Sequence, residues 1–144
     1  QNLGAGKADR AKKGSVMGVA FGMAMAELVG ICLFIWVPIL LQIFVDVPEA
    51  IEFGTIHGRT VALFFFLLAF SNCATGVLRG VGKSIVPMFT MLICWCGIRV
   101  LYVTIAIRII PVFRTTSSAY PLTWTLSSII FIVFLLRMDW EARV

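Results

Sequence analysis

The sequence is poor in charged and titratable residues. Asp, Glu, Lys and Arg together make up 13% of its 144 residues, and there is a single histidine. It contains no HExxH, no GxSxG and no paired-carboxylate arrangement, so the hydrolase classes that depend on those patterns are excluded. We therefore predict that the chain is not an enzyme and has no catalytic or cofactor-binding residue.

The chain has four cysteines, and their placement does not support a metal site. Each of the four cysteines lies in or at the end of an apolar segment, and no second Cys/His pair lies near the Cys94-Trp95-Cys96 stretch. Metal-binding cysteines come in spaced pairs with further Cys or His ligands. We predict free thiols that behave as small apolar residues, and no metal ligand. The cysteines are Cys32, Cys73, Cys94 and Cys96.

Two glycine- and lysine-containing stretches lack the spacing of a phosphate-binding loop. The Walker A pattern is G-x-x-x-x-G-K-[ST] after a strand. Val77 stands where the glycine that precedes Gly82 would be, and Lys7 is followed by alanine. Nucleotide binding is excluded. The net charge of +5 fits basic loops facing anionic lipid headgroups and needs no nucleic-acid partner.

Apolar residues are what the sequence has in excess, at 60% of the chain with a mean hydropathy of +1.02. A soluble domain of this length has too little interior to bury them. The apolar runs do not alternate with polar residues as the strands of a membrane β-barrel do. We predict an all-α integral membrane protein with four transmembrane helices, since a span needs about 20 apolar residues. The four segments are residues 16–45, 60–78, 85–107 and 117–137.

The loops between these segments differ in charge. One side of the predicted topology carries eight basic residues, whereas the other carries three basic and three acidic residues. Basic loops stay in the cytoplasm. We predict a multi-pass protein of the plasma (inner) membrane in which both chain ends and the Gly80–Lys83 turn are cytoplasmic. The eight basic residues are Lys7, Arg10, Lys12, Lys13, Arg79, Lys83, Arg137 and Arg143.

Small residues recur every four positions through the first apolar segment. Residues four apart share one helix face, so they form a groove that a neighbouring helix can approach closely. Packing is the simpler interpretation, and a surface that slides during a conformational cycle is the alternative. The groove consists of Gly14, Gly18, Gly22, Ala26 and Gly30.

Four motifs in register resemble the C-terminal lobe of the multidrug and toxic compound extrusion (MATE) transporters. They are QNLGAGKADRA, VLRGVGKSIVPM, IRVLY and AYPLTW. The family has corresponding loops after its eighth helix, between helices ten and eleven, and at the start of helix twelve. The residues that carry this resemblance are Gln1, Asn2, Gly4, Ala5, Gly6, Arg79, Gly80, Gly82, Pro121 and Trp124.

The resemblance implies that residues 1–144 are the last four helices of a longer, twelve-helix protein with two lobes related as repeats. It implies a cation-coupled secondary active transporter, a multidrug antiporter, that exports amphiphilic or cationic compounds in exchange for Na⁺ or H⁺. The expected partners are the lipid bilayer, the missing N-terminal lobe and the substrate. Two alternatives stay open, namely a lipid-linked oligosaccharide flippase of the same wider superfamily and a non-transporting membrane scaffold subunit.

Two charges inside the apolar segments are candidates for a transport role, because ionisable residues within a membrane are costly. Glu27 and Arg99 lie at similar depth if both helices cross in the same direction. We expect Glu27 to face the lobe interior and to bind the coupling cation or exchange a proton, with a structural ion pair as the alternative. Arg99 either pairs with Glu27 or stacks on Trp95.

The second apolar segment departs from some branches of the family. Those branches carry a cation-binding acid in the corresponding helix, but residues 60–78 contain no Asp or Glu. That site therefore cannot be transferred to this chain. The polar residues nearest to it are Ser71, Asn72, Cys73 and Thr75, which form interhelical hydrogen bonds or take part in transport. Asn72 is the candidate from this group. His57 is predicted to lie at the membrane interface.

Overall fold

The computed structural model of the chain describes residues 1–110, 113–138 and 140, and it is helical without a strand in those residues. The predicted all-α membrane architecture is confirmed. The elements are α1 (Ala8–Phe44), α2 (Pro48–Ala62), α3 (Phe65–Gly80), α4 (Ile85–Met91), a π-helical segment (Leu92–Ile98), α5 (Arg99–Ile109) and α6 (Phe113–Leu136).

Three stretches of helix are long and apolar enough to cross a membrane, namely α1, Ile85–Ile109 and Thr115–Leu136. The pair α2 and α3 makes a fourth span if its two halves are counted together. The span Ile85–Ile109 contains α4, the π-helical segment and α5 without interruption. α1 has 37 residues and is therefore about 55 Å long. That length exceeds the hydrocarbon core of about 30 Å, so α1 must tilt or project from it.

The second predicted segment, residues 60–78, is not one straight helix. The chain becomes helical at Pro48, whose fixed φ suits a first helical position, and α2 meets α3 at a bend of 55°. At the break the Phe64 N–H bonds to the Val61 carbonyl at 3.0 Å, a bond that spans three residues instead of four. Phe64 leaves the helical conformation there, with φ of −120° and ψ of 15°. We call this break the α2–α3 hinge.

The turn after α3 has the geometry that its glycines favour. Gly82 has φ of 77°, a left-handed conformation that residues with a Cβ avoid. Its N–H bonds to the Arg79 carbonyl at 2.9 Å, and the Lys83 N–H bonds to the Leu78 carbonyl at 2.8 Å. This pair of bonds is a Schellman motif, which closes the end of a helix.

The first residues form a second compact turn at the same end of the bundle. The Lys7 N–H bonds to the Asn2 carbonyl at 2.9 Å, and Gly6 has φ of 69°. One groove is lined by this turn, by Gly80 at the turn after α3 and by Trp140 near the C-terminus. These three basic regions therefore share one end of the molecule, which we call the basic end.

α6 is the central helix of the fold. It packs against α2, α3, α4, α5 and the π-helical segment, whereas α1 packs against α2 and α3. A cluster of buried apolar side chains joins α3 to α6 at the basic end, with Leu78 and Phe131 fully buried. The cluster is Ala74, Leu78, Val81, Phe131 and Met138.

Candidate functional site

The α2–α3 hinge is held by two residues of α1. Glu27 Oε2 accepts a hydrogen bond of 3.1 Å from the backbone N–H of Phe66, in the first turn of α3. One helical turn later, Gly30 is buried directly against the carbonyl of Ala62, the last residue of α2. A single stretch of α1 therefore contacts both halves of the broken span.

The charge of Glu27 suits its position. The first backbone N–H groups of a helix have no partner within that helix, and they form its positive end. The half-buried carboxylate of Glu27 satisfies one of them on α3. A carboxylate can accept several hydrogen bonds, so the bond to Phe66 leaves acceptor capacity for a proton or a small cation.

Arg99 makes its contacts on α6. Its Nε and one terminal nitrogen donate to Thr123 Oγ1 at 3.3 and 2.7 Å. Its guanidinium lies 4.4 Å from the centre of the Tyr120 ring and 5.8 Å from that of Trp95. The sequence left two alternatives for Arg99, an ion pair with Glu27 or stacking on Trp95, and in the structure the guanidinium stacks on aromatic rings. The described side chains of Arg99 and Glu27 bind different partners and do not form an ion pair with each other.

A buried cluster of hydroxyl groups lies between α3 and α6. Ser71 Oγ lies 3.0 Å from Ser127 Oγ and 3.3 Å from Ser128 Oγ. The Trp95 indole N–H donates to Ser127 Oγ at 3.2 Å, which adds the π-helical segment to the cluster. The three serines are at most 3% exposed, so each of these hydrogen bonds replaces one to water.

Aromatic rings connect the hinge to Arg99. Phe65, the first residue of α3, lies edge-to-face with Trp124 at 6.4 Å, and Trp124 lies 6.0 Å from Tyr120. Tyr120 then carries the Arg99 guanidinium on its face. His57 of α2 also contacts the Tyr120 ring, at 5.2 Å, and its Nδ1 lies 3.1 Å from Ser117 Oγ. Phe65 of α3 and Trp124 and Tyr120 of α6 thus form one row of rings between the hinge and Arg99.

The candidate Asn72 points away from this site. Its side chain is exposed and donates to the Leu68 carbonyl of its own helix at 2.9 Å. Its neighbour Ser71 makes the interhelical hydrogen bonds that the sequence suggested for this group. Thr75 is also buried, and its hydroxyl donates to the sulfur of Met91 at 3.9 Å.

The small-residue groove of α1 is packed along one half and open along the other. A Cβ built on Gly22 would lie 2.9 Å from Cys73 Sγ, and Gly30 meets Ala62. Gly14 and Gly18 are exposed, and a Cβ on either would have no atom within 4 Å in this chain. Ala26, between the packed pair, is half-buried. The predicted close approach of a neighbouring helix therefore exists towards the hinge and not at the basic end.

The AYPLTW motif lies inside a helix and not at its start. α6 begins at Phe113, several residues before the predicted start at residue 117, and Pro121 lies within it. The Pro121 carbonyl accepts a hydrogen bond of 2.7 Å from Thr125 Oγ1. Trp124 is 4% exposed.

The hydroxyl groups of α6, the α2–α3 hinge and the π-helical segment were not predicted. The hydroxyl residues alone carried a signal, because Ser117, Tyr120, Thr123 and Ser127 recur at helical spacing.

In the described residues, no three His, Cys, Asp or Glu side chains come together as a metal site would require.

Comparison with known proteins identifies the family. The pattern that defines the MatE family matches residues 1–105. A protein named "Probable multidrug resistance protein NorM" from Thermotoga maritima is 35% identical over 68 residues, which are 46% of this chain and 15% of that protein. No solved structure matches the chain. Because the family pattern covers well over half of its residues, the chain belongs to the MatE family, the multidrug and toxic compound extrusion transporters that its loop motifs resemble.

Proposed function

We propose that this chain is the C-terminal part of a cation-coupled secondary transporter that exports amphiphilic or cationic compounds, and that Glu27 is its coupling carboxylate. The observation that carries the proposal is the bond from Glu27 to the Phe66 N–H at the α2–α3 hinge. Secondary transporters place their ion sites at discontinuous membrane helices, where half-helix ends and freed backbone groups meet the ion. Glu27 is also the one acidic residue in the four predicted segments.

The proposed mechanism follows from the charge of Glu27. As a carboxylate, it holds α1 against the positive end of α3 through a charge-assisted hydrogen bond. When it takes up a proton or binds Na⁺, its negative charge is neutralised and this bond weakens. α1 is then released from the hinge, and α2 and α3 can change their angle. The cation thereby favours one arrangement of the bundle over another, which is the requirement for coupling.

The substrate class rests on family membership and on the row of rings. Flat or cationic organic molecules stack on aromatic faces, and the half-buried rings of Phe65 and Tyr120 lie on either side of the buried Trp124 beside the hinge. Arg99 already occupies one face of Tyr120. We propose that the remaining lobe of the protein completes the cavity around them.

The test is Glu27→Gln in the full-length transporter, measured as efflux of a fluorescent amphiphilic cation from energised vesicles. We expect efflux driven by an H⁺ or Na⁺ gradient to fall at least tenfold, while the yield of monodisperse protein is unchanged. Glu52→Gln is the matched control, because Glu52 is an exposed acid on α2. Glu27→Asp, which keeps the charge, should recover part of the transport.

Wild-type efflux by Glu27→Gln would contradict a coupling role. Loss of folded protein in Glu27→Gln with full recovery in Glu27→Asp would instead indicate a structural cap on α3. The same assay distinguishes the two alternatives from the sequence. A scaffold subunit gives no efflux with any variant, and an oligosaccharide flippase moves lipid-linked sugar and not the dye.

We further propose that the basic end faces the cytoplasm of a plasma-membrane protein. What supports this is the clustering of both turns and Trp140 at that end, together with their Lys and Arg residues. In a cysteine-free background, cysteine introduced at Glu49 should react with an impermeant thiol reagent in intact cells. Cysteine introduced at Lys83 should react only after the cells are opened. The reverse pattern would invert the orientation.

A further inference from the structure

An apolar groove opens at the basic end beside the α3–α6 core cluster. It has a volume of about 340 Å³ and lies between the first half of α1, the middle of α3 and the end of α6. Lys12 and Trp140 lie at one end of it and Met23 at the other, roughly 16 Å apart along the axis of α1. The walls between them include Val16, Val19, Phe70, Val77 and Leu135.

The groove lies on the loosely packed half of α1. Val16 and Ala20 line it and are exposed, whereas further along the helix Gly22 and Gly30 contact Cys73 and Ala62. Phe70, Val77 and Leu135 of its walls pack on the α3–α6 core cluster. That side of the groove is therefore anchored in the buried core of the molecule.

The charge at the mouth of the groove is positive. Four basic residues and one acidic residue lie between positions 7 and 13, and Arg137 follows directly on the wall residue Leu136. The indole of Trp140 lies at the same level, and tryptophan favours the boundary between headgroups and acyl chains. Basic pockets between membrane helices on the cytoplasmic side bind anionic lipid headgroups.

We propose that this groove is a binding site for one anionic phospholipid, with an acyl chain between α1 and α3 and the headgroup phosphate at Lys12. The apolar walls match an acyl chain, because they offer hydrocarbon over several helical turns. The Lys12 ammonium is a compact point charge that suits a phosphate. The bound lipid covers the exposed side chains of Val16 and Ala20, and it holds the first half of α1 against α3 and α6. This inference rests on the proposed cytoplasmic orientation of the basic end and does not depend on the role of Glu27.

The experiment compares two adjacent lysines. Both lysines are exposed on α1. Lys12 lines the groove, and Lys13 does not line it. The purified full-length transporter, delipidated in detergent, is titrated with phosphatidylglycerol and, separately, with phosphatidylethanolamine. Bound lipid is counted by native mass spectrometry. We expect one tightly bound phosphatidylglycerol in the wild type and in Lys13→Gln, and at least fivefold weaker binding in Lys12→Gln. Inorganic phosphate should not compete at millimolar concentration.

A second measurement locates the acyl chain. Phosphatidylglycerol with a photoreactive group in the middle of its chain should label the peptides that contain Met23 and Phe70. Val19→Trp, which fills the groove, should abolish that label. Equal loss of binding in Lys12→Gln and Lys13→Gln, equal binding of the two lipids, or labelling confined to the exposed residues Ile129 and Val133 of α6 would each overturn the proposal. Those outcomes correspond to diffuse charge attraction, to a site without headgroup recognition and to ordinary boundary lipid. Crosslinks from this groove to another part of the protein in place of lipid would overturn it too.

Discussion

α1 and α6 have similarly apolar sequences but occupy opposite positions in the fold. In the most apolar 18 residues of α1, 6% of positions are buried, against 33% in α6. Of the described residues of α1, Gly30 is the one that is buried. α6 buries Ser117, Thr123, Ser127 and Ser128. Both helices satisfy the length and hydropathy needed for a membrane span, so these properties do not tell where a helix lies within the bundle.

The comparison shows that the few hydroxyl residues and glycines of an apolar helix determine its position in the bundle. Hydroxyl groups in hydrocarbon need hydrogen-bond partners, so α6 turns them towards α3, α2 and the π-helical segment and becomes the fixed centre. α1 has glycines where α6 has hydroxyl groups. Glycine allows close contact between helices but has no side chain that interlocks with the neighbouring helix. Its firmest attachments are Glu27 and Gly30 at the α2–α3 hinge. α1 is thus attached along its second half, where the Phe34 carbonyl also accepts a hydrogen bond from Arg59, and its first half is free, whereas α6 is attached along its length.

Gly30→Ala tests that attachment and should have the largest effect. The new methyl group would press on the Ala62 carbonyl, and it would lie 3.4 Å from the Phe65 Cβ. Backbone atoms cannot move aside as a flexible side chain does, so we expect a loss of about 1–3 kcal/mol of stability. The readout is the thermal unfolding midpoint of the full-length protein in detergent.

Gly18→Ala is the control for this prediction, because a Cβ on Gly18 meets open space. It should leave the midpoint unchanged or slightly raised, since alanine favours the helix over glycine. Equal midpoints for Gly18→Ala and Gly30→Ala would mean that α1 is not anchored at the hinge. The distinction between an attached half and a free half of α1 would then be lost.

Ser127→Ala tests the fixed centre and should have an intermediate effect. It removes a partner of Ser71 and leaves the Trp95 indole N–H without its acceptor. Hydrogen bonds between membrane helices contribute roughly 0.6 kcal/mol on average, and a buried donor left unpaired costs more. We therefore expect a loss of about 1 kcal/mol. Near-ultraviolet circular dichroism of the tryptophans should change with it.

Thr125→Ala is the matched control on the same helix. Thr125 is exposed and bonds to the Pro121 carbonyl of its own helix. Its removal should shift the unfolding midpoint by less than half as much as Ser127→Ala. If the two variants behave alike, the hydroxyl cluster does not hold α6 in place, and the contrast between the two helices rests on apolar packing alone.

Sequence reasoning was sufficient for properties that depend on composition and helical spacing. The all-α membrane fold, the family, and the choice of Glu27 and Arg99 as residues of interest follow from it, and Trp95 lies one turn from Arg99. The α2–α3 hinge was not predictable in this way, because VALF at residues 61–64 contains neither glycine nor proline. The break there is matched by contacts from Glu27 and Gly30, which are more than thirty residues away in the chain. The π-helical segment LICWCGI likewise has no marker of its own.

Gly22→Ala should have the smallest effect and defines where the attached half of α1 begins. A Cβ on Gly22 would lie 2.9 Å from Cys73 Sγ, which is too close. However, a cysteine side chain can rotate away where a carbonyl cannot. We expect a loss of a few tenths of a kcal/mol, because the gain in helix preference of about 1 kcal/mol opposes the crowding. Cys73→Ala removes the sulfur, so the double variant should unfold at or above the wild-type midpoint. If Gly22→Ala instead destabilises as strongly as Gly30→Ala and Cys73→Ala fails to rescue it, then α1 is attached along a longer stretch, and the hinge is not its principal anchor.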